Sequence, residues 1–241
     1  MNCRFSRQQI GTTFFFLSFC TAPFLCSCGL EEYQVLDPPI LMRLAGGTDP
    51  YLRYFDFRTV ESGEYNDAAI FQGTTVYYKI YASDATMQSE ISSISTANTQ
   101  YSSNGYNRMV QLGYLELNAD ARNSLLIPRA GSGRQVVIRL FDEASYTARV
   151  HGNDTDIEVS PVWGRPLRRL NDKGFNFFAD TEAERENNPV PVSGDGDVNY
   201  TGYSDGKSWY VNAYAVSVGQ NDLLVNLYSQ LLHLGFIIIS E

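Results

Sequence analysis

Cysteine is missing from almost the whole chain, and its absence excludes several kinds of chemistry. The four cysteines, Cys3, Cys20, Cys26 and Cys28, all lie within the first 28 of 241 residues. A chain cut before Cys28 would have no disulfide bond, no cysteine-based zinc site and no second thiol to act as a nucleophile. We therefore expect an exported domain of this kind to be stabilised by burial alone.

Histidine and positive charge are also scarce. His151 and His233 are the two histidines, far apart and outside any H-x-x-H arrangement, which argues against a metal site. The chain has 27 acidic and 18 basic residues, a net charge of −9. Nucleic-acid binding and attraction to anionic lipid both need basic residues, so we expect neither.

The N-terminus, by contrast, is rich in signals for export. Arg4 and Arg7 precede an uncharged run from residue 10 to residue 25, which is too short for a comfortable membrane span. The run ends in L-C-S-C-G at residues 25–29, which resembles a bacterial lipobox with a small residue directly before Cys28. Cys26 departs from the pattern, because alanine, serine or threonine is more usual there. The alternatives are an ordinary cleaved secretory signal and an uncleaved anchor.

The lipobox predicts the domain organisation. Residues 1–27 are expected to be a lipoprotein signal peptide, 28–50 a lipidated tether and loop, and 51–241 a single domain. Acyl chains on Cys28 would be the membrane contact and would hold the protein, extracytoplasmic, in the cell envelope. Removing residues 1–27, which carry two arginines and no acidic residue, would change the net charge from −9 to −11.

Alternating apolar and polar residues predict strands through most of the domain. The predicted strands are Ile40–Leu44, Leu52–Thr59, Thr74–Tyr81, Met109–Leu117, Gln135–Phe141, Ser145–Val150 and Lys207–Val218. In Thr74–Tyr81 the pattern places Val76, Tyr78 and Ile80 inward and Tyr77, Lys79 and Tyr81 outward. Aromatic residues on both faces predict that Lys207–Val218 is buried on both sides.

The period changes to that of a helix at two places. Met87, Ile91 and Ile94 share one helical face, which predicts one short amphipathic helix at Asp84–Ala97. Asp222–Leu234 also has helical spacing, with Gly235 as its end, but strands near Leu223–Tyr228 and Leu231–Ile239 are an alternative. The charged and Pro/Gly-rich stretch Thr181–Asp197 is predicted to be a mobile loop. Many short strands and one helix predict a mainly β fold, an antiparallel β-sandwich.

Five stretches carry a resemblance to a known group: S-C-G-L-E-E-Y at 27–33, L-D-P-P at 36–39, F-Q-G-T-T-V-Y-Y-K-I-Y at 71–81, Y-S at 228–229 and L-G at 234–235. They resemble stretches of treponemal (spirochaete) lipoproteins. The resemblance touches the start, middle and end of the mature chain, and none of its motifs is catalytic. It implies an immunoglobulin- or fibronectin-III-like sandwich in the cell envelope, and it favours strands over a helix at the C-terminus.

Few residues form a pattern that points to catalysis or metal binding. Ser204 lies in G-x-S-x-G, but a polar loop precedes it and a predicted strand follows, unlike a nucleophile elbow. Asp195, Asp197 and Asn199 resemble the start of a calcium loop whose glycine and final glutamate are missing. A looser calcium site would use Asp195, Asp197 and Asp205, and the acidic run of Asp154, Asp156 and Glu158 is similar.

Two further groups suggest binding instead. The basic cluster Arg165, Arg168, Arg169 and Lys173 could meet an anionic ligand, although a loop that offsets nearby acidic residues is the simpler interpretation. Tyr77 and Tyr81, if outward, could contact a glycan or a partner protein.

The sequence favours a lipid-anchored envelope protein that acts as a non-enzymatic binding or structural module with a protein or glycan partner. We assign no catalytic, metal or cofactor-binding residue and no cofactor, and the one modified residue that we predict is Cys28. The alternative is an envelope hydrolase or glycan-active enzyme, suggested by the abundant acidic and aromatic residues and by Ser204.

Overall fold

Strands make up most of the regular structure in the computed structural model, which describes residues 35–46, 52–61, 70–100, 102–120, 125–142, 147–152, 162–204 and 207–241. Numbered along the chain, they are β1 (Ile40–Arg43), β2 (Phe55–Arg58), β3 (Phe71–Tyr81), β4 (Leu115–Glu116), β5 (Asn118–Ala119), β6 (Ile127–Pro128), β7 (Gln135–Arg139), β8 (Arg149–Gly152), β9 (Val162–Gly164), β10 (Pro166–Leu167), β11 (Val198–Asn199), β12 (Ser208–Gln220), β13 (Asn226–Tyr228) and β14 (Leu232–Ser240). The described helices are α1 (Asp84–Ala97), α2 (Asn104–Gln111) and α3 (Glu182–Asn187). The predicted mainly β fold and the predicted helix at Asp84–Ala97 are confirmed, and the sequence did not predict α2 and α3.

Two sheets share one hydrophobic core. The first has five antiparallel strands in the order β1-β2-β7-β8-β9. The second has seven strands and is centred on the long antiparallel pair β3 and β12. Phe57 and Ile138 of the first sheet are buried in the same core as Val76, Val211 and Ile237 of the second. Antiparallel pairing across a shared core confirms the predicted sandwich class, while its immunoglobulin or fibronectin-III type stays a prediction.

Five further strands complete the second sheet. β14 and β13 pair antiparallel with β12, and β4 and β6 pair antiparallel with β3. β11 pairs parallel with β3, where Val198 lies opposite Ile80. β5 and β10 form a separate two-stranded sheet. The predicted strand at Ser145–Val150 is observed later in the chain, as β8.

The outer face of the second sheet is covered by α1 and α2. Met87 and Ile94 of α1 and Met109 of α2 are fully buried in a second core that includes Tyr81. α1 has the bounds that the helical spacing predicts, because that spacing gives it one apolar face for the sheet. The domain therefore has three layers: sheet, sheet and helices.

This third layer corrects the prediction that Tyr77, Lys79 and Tyr81 face outward. They do lie on the opposite face of β3 from Val76, but Tyr81 is fully buried and Lys79 nearly so. Tyr77 is partly buried against the second core. Alternation assigns residues to a face of a strand, but it does not show what covers that face.

The strand predicted at Met109–Leu117 is also wrong in its first half. α2 continues to Gln111, and Gly113 then turns the chain at a φ of 82°. Within the predicted strand, only Leu115–Glu116 form a strand that pairs with β3. A short apolar run fits either structure, and here Met109 is buried as a helical residue.

The C-terminus forms strands, as the resemblance implies. β13 and β14 both pair with β12, and the helical interpretation of Asp222–Leu234 is wrong. Gly235, predicted to end a helix, lies within β14 at a φ of 87°. The register of the β12–β14 pair shifts between Ala213 and Tyr214, beside this glycine. The positive φ thus serves an irregularity in a strand.

The folded unit begins earlier than the predicted boundary at residue 51. It extends from Gln34 to Glu241 and includes β1. Leu36 is buried, and the carbonyl oxygen of Asp37 accepts a hydrogen bond of 2.7 Å from Ser217 Oγ. The part of the predicted tether from residue 35 to residue 46 is therefore part of the domain.

The stretch Thr181–Asp197, predicted to be a loop, contains a helix. Thr181 is the N-cap of α3, and its side-chain oxygen accepts a hydrogen bond from the backbone N–H of Glu184 at 3.3 Å. At the other end of the stretch Asp197 is completely buried. The predicted mobility of the stretch stays a prediction.

Candidate functional site

Residues that the sequence separates widely meet in a chain of hydrogen bonds beneath α1. Lys79 Nζ of β3 lies 2.8 Å from Glu90 Oε2 of α1 in a largely buried ion pair. Tyr81 Oη donates a hydrogen bond of 2.7 Å to the same carboxylate oxygen. Asn199 Nδ2 donates to the other carboxylate oxygen at 2.7 Å. The carboxylate of Glu90 thus joins β3, α1 and β11.

The chain continues across the sheet to His233. The hydroxyls of Tyr81 and Tyr114 are hydrogen-bonded at 2.8 Å, and Asn212 Nδ2 donates to Tyr114 Oη at 2.7 Å. His233 Nε2 lies 2.7 Å from Asn212 Oδ1. Because Asn212 uses its amide nitrogen as the donor, its oxygen accepts, and His233 Nε2 carries the proton.

Burial sets the protonation states of the residues in this hydrogen-bond network. Desolvation lowers the pKa of His233 to about 4, so its imidazole is neutral near pH 7. Burial likewise raises the pKa of Tyr81 and of Tyr114 above the ordinary value of 10.0. The imidazole of His233 is therefore neutral, the hydroxyls of Tyr81 and Tyr114 keep their protons, and Lys79 is paired with Glu90. The contacts connect β3, β12, β14 and α1, so we interpret the chain as a structural network.

A second buried network contains Asp195 and Asp197, two residues of the candidate calcium site. The guanidinium of Arg168 binds Asp197 through two bonds, Nε to Oδ2 at 2.8 Å and a terminal nitrogen to Oδ1 at 2.6 Å. The same terminal nitrogen donates to Asp195 Oδ2 at 2.9 Å. Tyr78 Oη also donates to Asp197 Oδ2, at 2.7 Å. Arg168 and Asp197 are almost completely buried.

Electrostatics and hydrogen bonds hold Arg168 charged. Burial by itself would lower its pKa, but the hydrogen bonds and charge of Asp197 outweigh that effect and raise it. A cation at Asp195 and Asp197 would have to displace this guanidinium. In the part of the chain that the structure describes, no group of three metal-ligating side chains is found.

The predicted basic cluster is divided. Arg168 points into the buried network, whereas Arg165 forms a half-exposed ion pair with Asp142 at 3.1 Å. Arg169 is exposed, and its backbone N–H donates to Tyr78 Oη at 2.8 Å. The structure therefore does not bring these side chains together around a common ligand position.

Ser204 and His233 are also far apart. In the register of β12 and β14, Ser208 lies opposite Ser240, and Tyr214 lies opposite His233. Six residues of strand correspond to about 20 Å, which separates His233 from the end of β12 that follows Ser204. A serine nucleophile activated by this histidine is therefore not assembled.

Tyr77 belongs to an aromatic cluster at the edge of the second core. Its ring meets Tyr106 edge-on at 5.6 Å, and Tyr106 stacks on Tyr228 with ring centroids 3.6 Å apart. The hydroxyl oxygens of Tyr77 and Tyr106 are 3.3 Å apart. These contacts fit packing between helix and sheet better than glycan binding.

The exposed apolar side chains were not singled out by the sequence. Ile40, Met42 and Leu44 alternate along β1 and its end, and each is about half exposed. β1 lies at the edge of its sheet. In the sequence, Ile40, Met42 and Leu44 alternate with Leu41 and Arg43. Because Leu41 is also apolar, this alternation does not show which face of the strand is exposed.

Some predicted residues lie outside the described residues. They are Cys28, Asp154, Asp156, Glu158 and Asp205. None of the described helices is long and apolar enough to cross a membrane. No protein-family model matches the chain, and no curated protein or solved structure is significantly similar to it. The resemblance to treponemal lipoproteins therefore stays a prediction.

Proposed function

We propose that this chain is a lipid-anchored protein of the cell envelope whose β-sandwich domain is a non-enzymatic binding or structural module. The observation that carries the binding role is the apolar row of Ile40, Met42 and Leu44 on edge strand β1. Contiguous exposed apolar side chains on a soluble domain typically mark an interaction surface. β1 is the edge strand of its sheet, and an edge strand can offer backbone groups to a partner.

The anchor is supported by the N-terminal sequence and by the early start of the domain. The lipobox-like run ends at Cys28, and the chain is already buried at Leu36. Acyl chains at Cys28 would hold β1 close to the membrane surface. A partner in the same envelope would then meet the row at a high effective concentration.

The polar residues favour a binding module over a hydrolase. The residues that suggested chemistry in the sequence are used in internal contacts: Asp195 and Asp197 with Arg168, and His233 with Asn212. The strongly acidic composition argues against a nucleic-acid partner. An apolar row fits a protein partner with an apolar surface of its own.

The anchor is tested with labelled palmitate in cells that make the full chain. We expect the label in the wild type and in Cys26→Ala, and none in Cys28→Ala, because Cys28 alone follows a small residue and an aliphatic residue at the required spacing. Equal labelling of the Cys28→Ala protein would refute the assignment.

The binding role is tested in the same cells with a photo-crosslinking amino acid. We expect it to capture a specific protein from position 42 on β1 and nothing reproducible from position 95, an exposed position on α1. The absence of any crosslink at position 42 above the level at position 95 would contradict a partner at this row.

A further inference from the structure

The loop between β12 and β13 carries the two most exposed large apolar side chains among the described residues. Leu223 is 82% exposed, Leu224 75% and Val225 54%. We name residues 221–225 the apolar tip. Three consecutive aliphatic residues in a solvent-exposed turn are unusual, because turns ordinarily use Gly, Asn, Asp and Ser.

Hydrogen bonds within the loop hold the apolar tip in one conformation. Asn221 Oδ1 accepts hydrogen bonds from the backbone N–H groups of Leu223 at 3.0 Å and of Val225 at 2.9 Å. Leu224 N–H donates to the carbonyl oxygen of Asn221 at 2.9 Å, and Asn221 N–H donates to that of Val225 at 3.1 Å. Gln220 Nε2 donates to the carbonyl oxygen of Leu224 at 3.0 Å.

These hydrogen bonds lower the cost of moving the apolar tip from water into an apolar medium. An unsatisfied backbone group is costly in a hydrocarbon environment. Here the N–H groups of residues 223, 224 and 225 and the carbonyl oxygens of residues 224 and 225 already have partners within residues 220–225. The apolar tip can therefore leave water without losing those hydrogen bonds.

The apolar tip also lies at the end of the domain where the described chain begins. Ser217 of β12 donates to the carbonyl oxygen of Asp37, and a Cβ at Gly219 would come within 3.1 Å of Leu36 Cδ1. Residue 35 is seven positions after Cys28 in the chain, and covalent geometry limits the distance between them to about 25 Å. A lipid anchor at Cys28 would thus keep this end of β12 near the membrane surface.

We propose that Leu223, Leu224 and Val225 insert into the interfacial region of the lipid bilayer that holds the anchor. The inference rests on the proposed lipidation of Cys28, because the short tether is what brings the apolar tip to the bilayer. Asp222 is the one charged residue between Ser217 and Leu231, and no basic residue accompanies it. The occupant is therefore the apolar part of a zwitterionic lipid surface, and anionic headgroups should not increase the insertion.

A tryptophan reporter tests the insertion. The full chain is expressed with Leu223→Trp, exported, purified and reconstituted into phosphatidylcholine vesicles that contain lipids brominated on their acyl chains. We expect the added fluorescence of Leu223→Trp to be quenched at least twofold relative to vesicles without bromine. Replacing part of the lipid with phosphatidylglycerol should leave the quenching unchanged.

Val192→Trp is the matched control, because tryptophan itself favours the interface. Val192 is exposed and lies in the loop that leads through Asp195 to Val198, which pairs with Ile80. Gly219, beside the apolar tip, pairs with Phe71 at the other end of β3. These two ends of β3 are about 30 Å apart. We expect no quenching at position 192.

The palmitate label on the same preparations separates failure of the anchor from failure of the insertion. Labelled protein with no quenching at position 223, or with equal quenching at 223 and 192, would overturn the insertion while the anchor stands. Unlabelled protein that is quenched at position 223 on added vesicles would support insertion without the anchor. Unlabelled protein with no quenching would overturn both proposals.

Discussion

Arg168 shows, at the scale of one residue, how a buried charge decides the structure around it. Its guanidinium is almost completely buried and binds the equally buried Asp197 through two hydrogen bonds. Tyr78 of β3 donates a further hydrogen bond to the carboxylate of Asp197. A buried pair of this kind adds little net stability compared with apolar residues, but breaking it leaves an unpaired charge.

We expect Arg168→Met to lower the free energy of unfolding by about 3–5 kcal/mol, because Asp197 would remain buried without its cation. The measurement is urea unfolding of the purified exported protein. Arg169→Met is the control: its side chain is exposed, and its backbone bond to Tyr78 is retained. Equal unfolding midpoints for the two variants would contradict the structural role of Arg168.

His233 predicts a dependence of stability on pH. Burial lowers the pKa of its imidazole from the ordinary value of 6.5 to about 4. Between those two pH values the unfolded chain binds a proton that the folded chain does not. The free energy of unfolding therefore falls as the pH falls through this window, by about 2–3 kcal/mol for this residue.

We expect His233→Gln to flatten this pH dependence. Urea unfolding at pH 7, 6, 5 and 4 measures the difference between the wild type and the variant at each pH, in which the contributions of other titrating groups cancel. The loss of stability on acidification should be smaller in the variant. Parallel curves from pH 7 to pH 4 would show that His233 does not titrate in this way.

At the scale of elements, Gly235 holds the end of the first strand against the last one. Ala45, just after β1, forms a bridge with Gly235 of β14, and its N–H donates to the carbonyl oxygen of Leu234 at 2.9 Å. A Cβ at Gly235 would overlap the carbonyl oxygen of Ala45. The glycine thus permits both the positive φ and the close approach of the two strands.

Gly235→Ala should therefore destabilise the domain more than the backbone conformation alone requires. Gly131→Ala is the matched control, with a similar φ of 89° and no atom within 4 Å of the added Cβ. We expect the control to cost about 1 kcal/mol and Gly235→Ala at least about 2 kcal/mol more. Thermal unfolding monitored by circular dichroism compares them, and similar melting temperatures would contradict the close approach.

The helices show what a strand pattern leaves open. The sequence places Lys79 and Tyr81 on one face of β3 correctly, but it does not show that α1 and α2 cover that face. α1 is predictable because Met87, Ile91 and Ile94 repeat with helical spacing over 14 residues. α2 is short, and its apolar residues run directly into β4, so its helical period is hidden.

At the scale of the whole molecule, the apolar tip and the start of the domain lie beside the same end of β12. The proposed anchor and the proposed insertion would together fix which end of the domain faces the bilayer. Two weak membrane contacts at one end restrict rotation more than either does alone. Positions such as Val192, near the other end of β3, would then face away from the bilayer.

The two buried hydrogen-bond networks could not be predicted from the sequence. Lys79 and Glu90 are eleven residues apart, but Tyr81, Tyr114, Asn212 and His233 come from four separate parts of the chain. No local period joins them, and Arg168 with Asp197 is a similar case. Long-range polar pairs carry no repeating pattern, so a single sequence offers no signal for them.

The mainly β character and the helix α1 follow from local periods of apolar residues, and the double burial of β12 follows from aromatic residues on both of its faces. The export signal stays a prediction from the sequence, because such signals are read as linear sequence. The packed structure was needed to place Asp195, Asp197 and His233 in largely buried networks and to show that the side chains of the tip at 221–225 are exposed. The reason is physical: a side chain's partner and its exposure depend on which distant segment packs beside it.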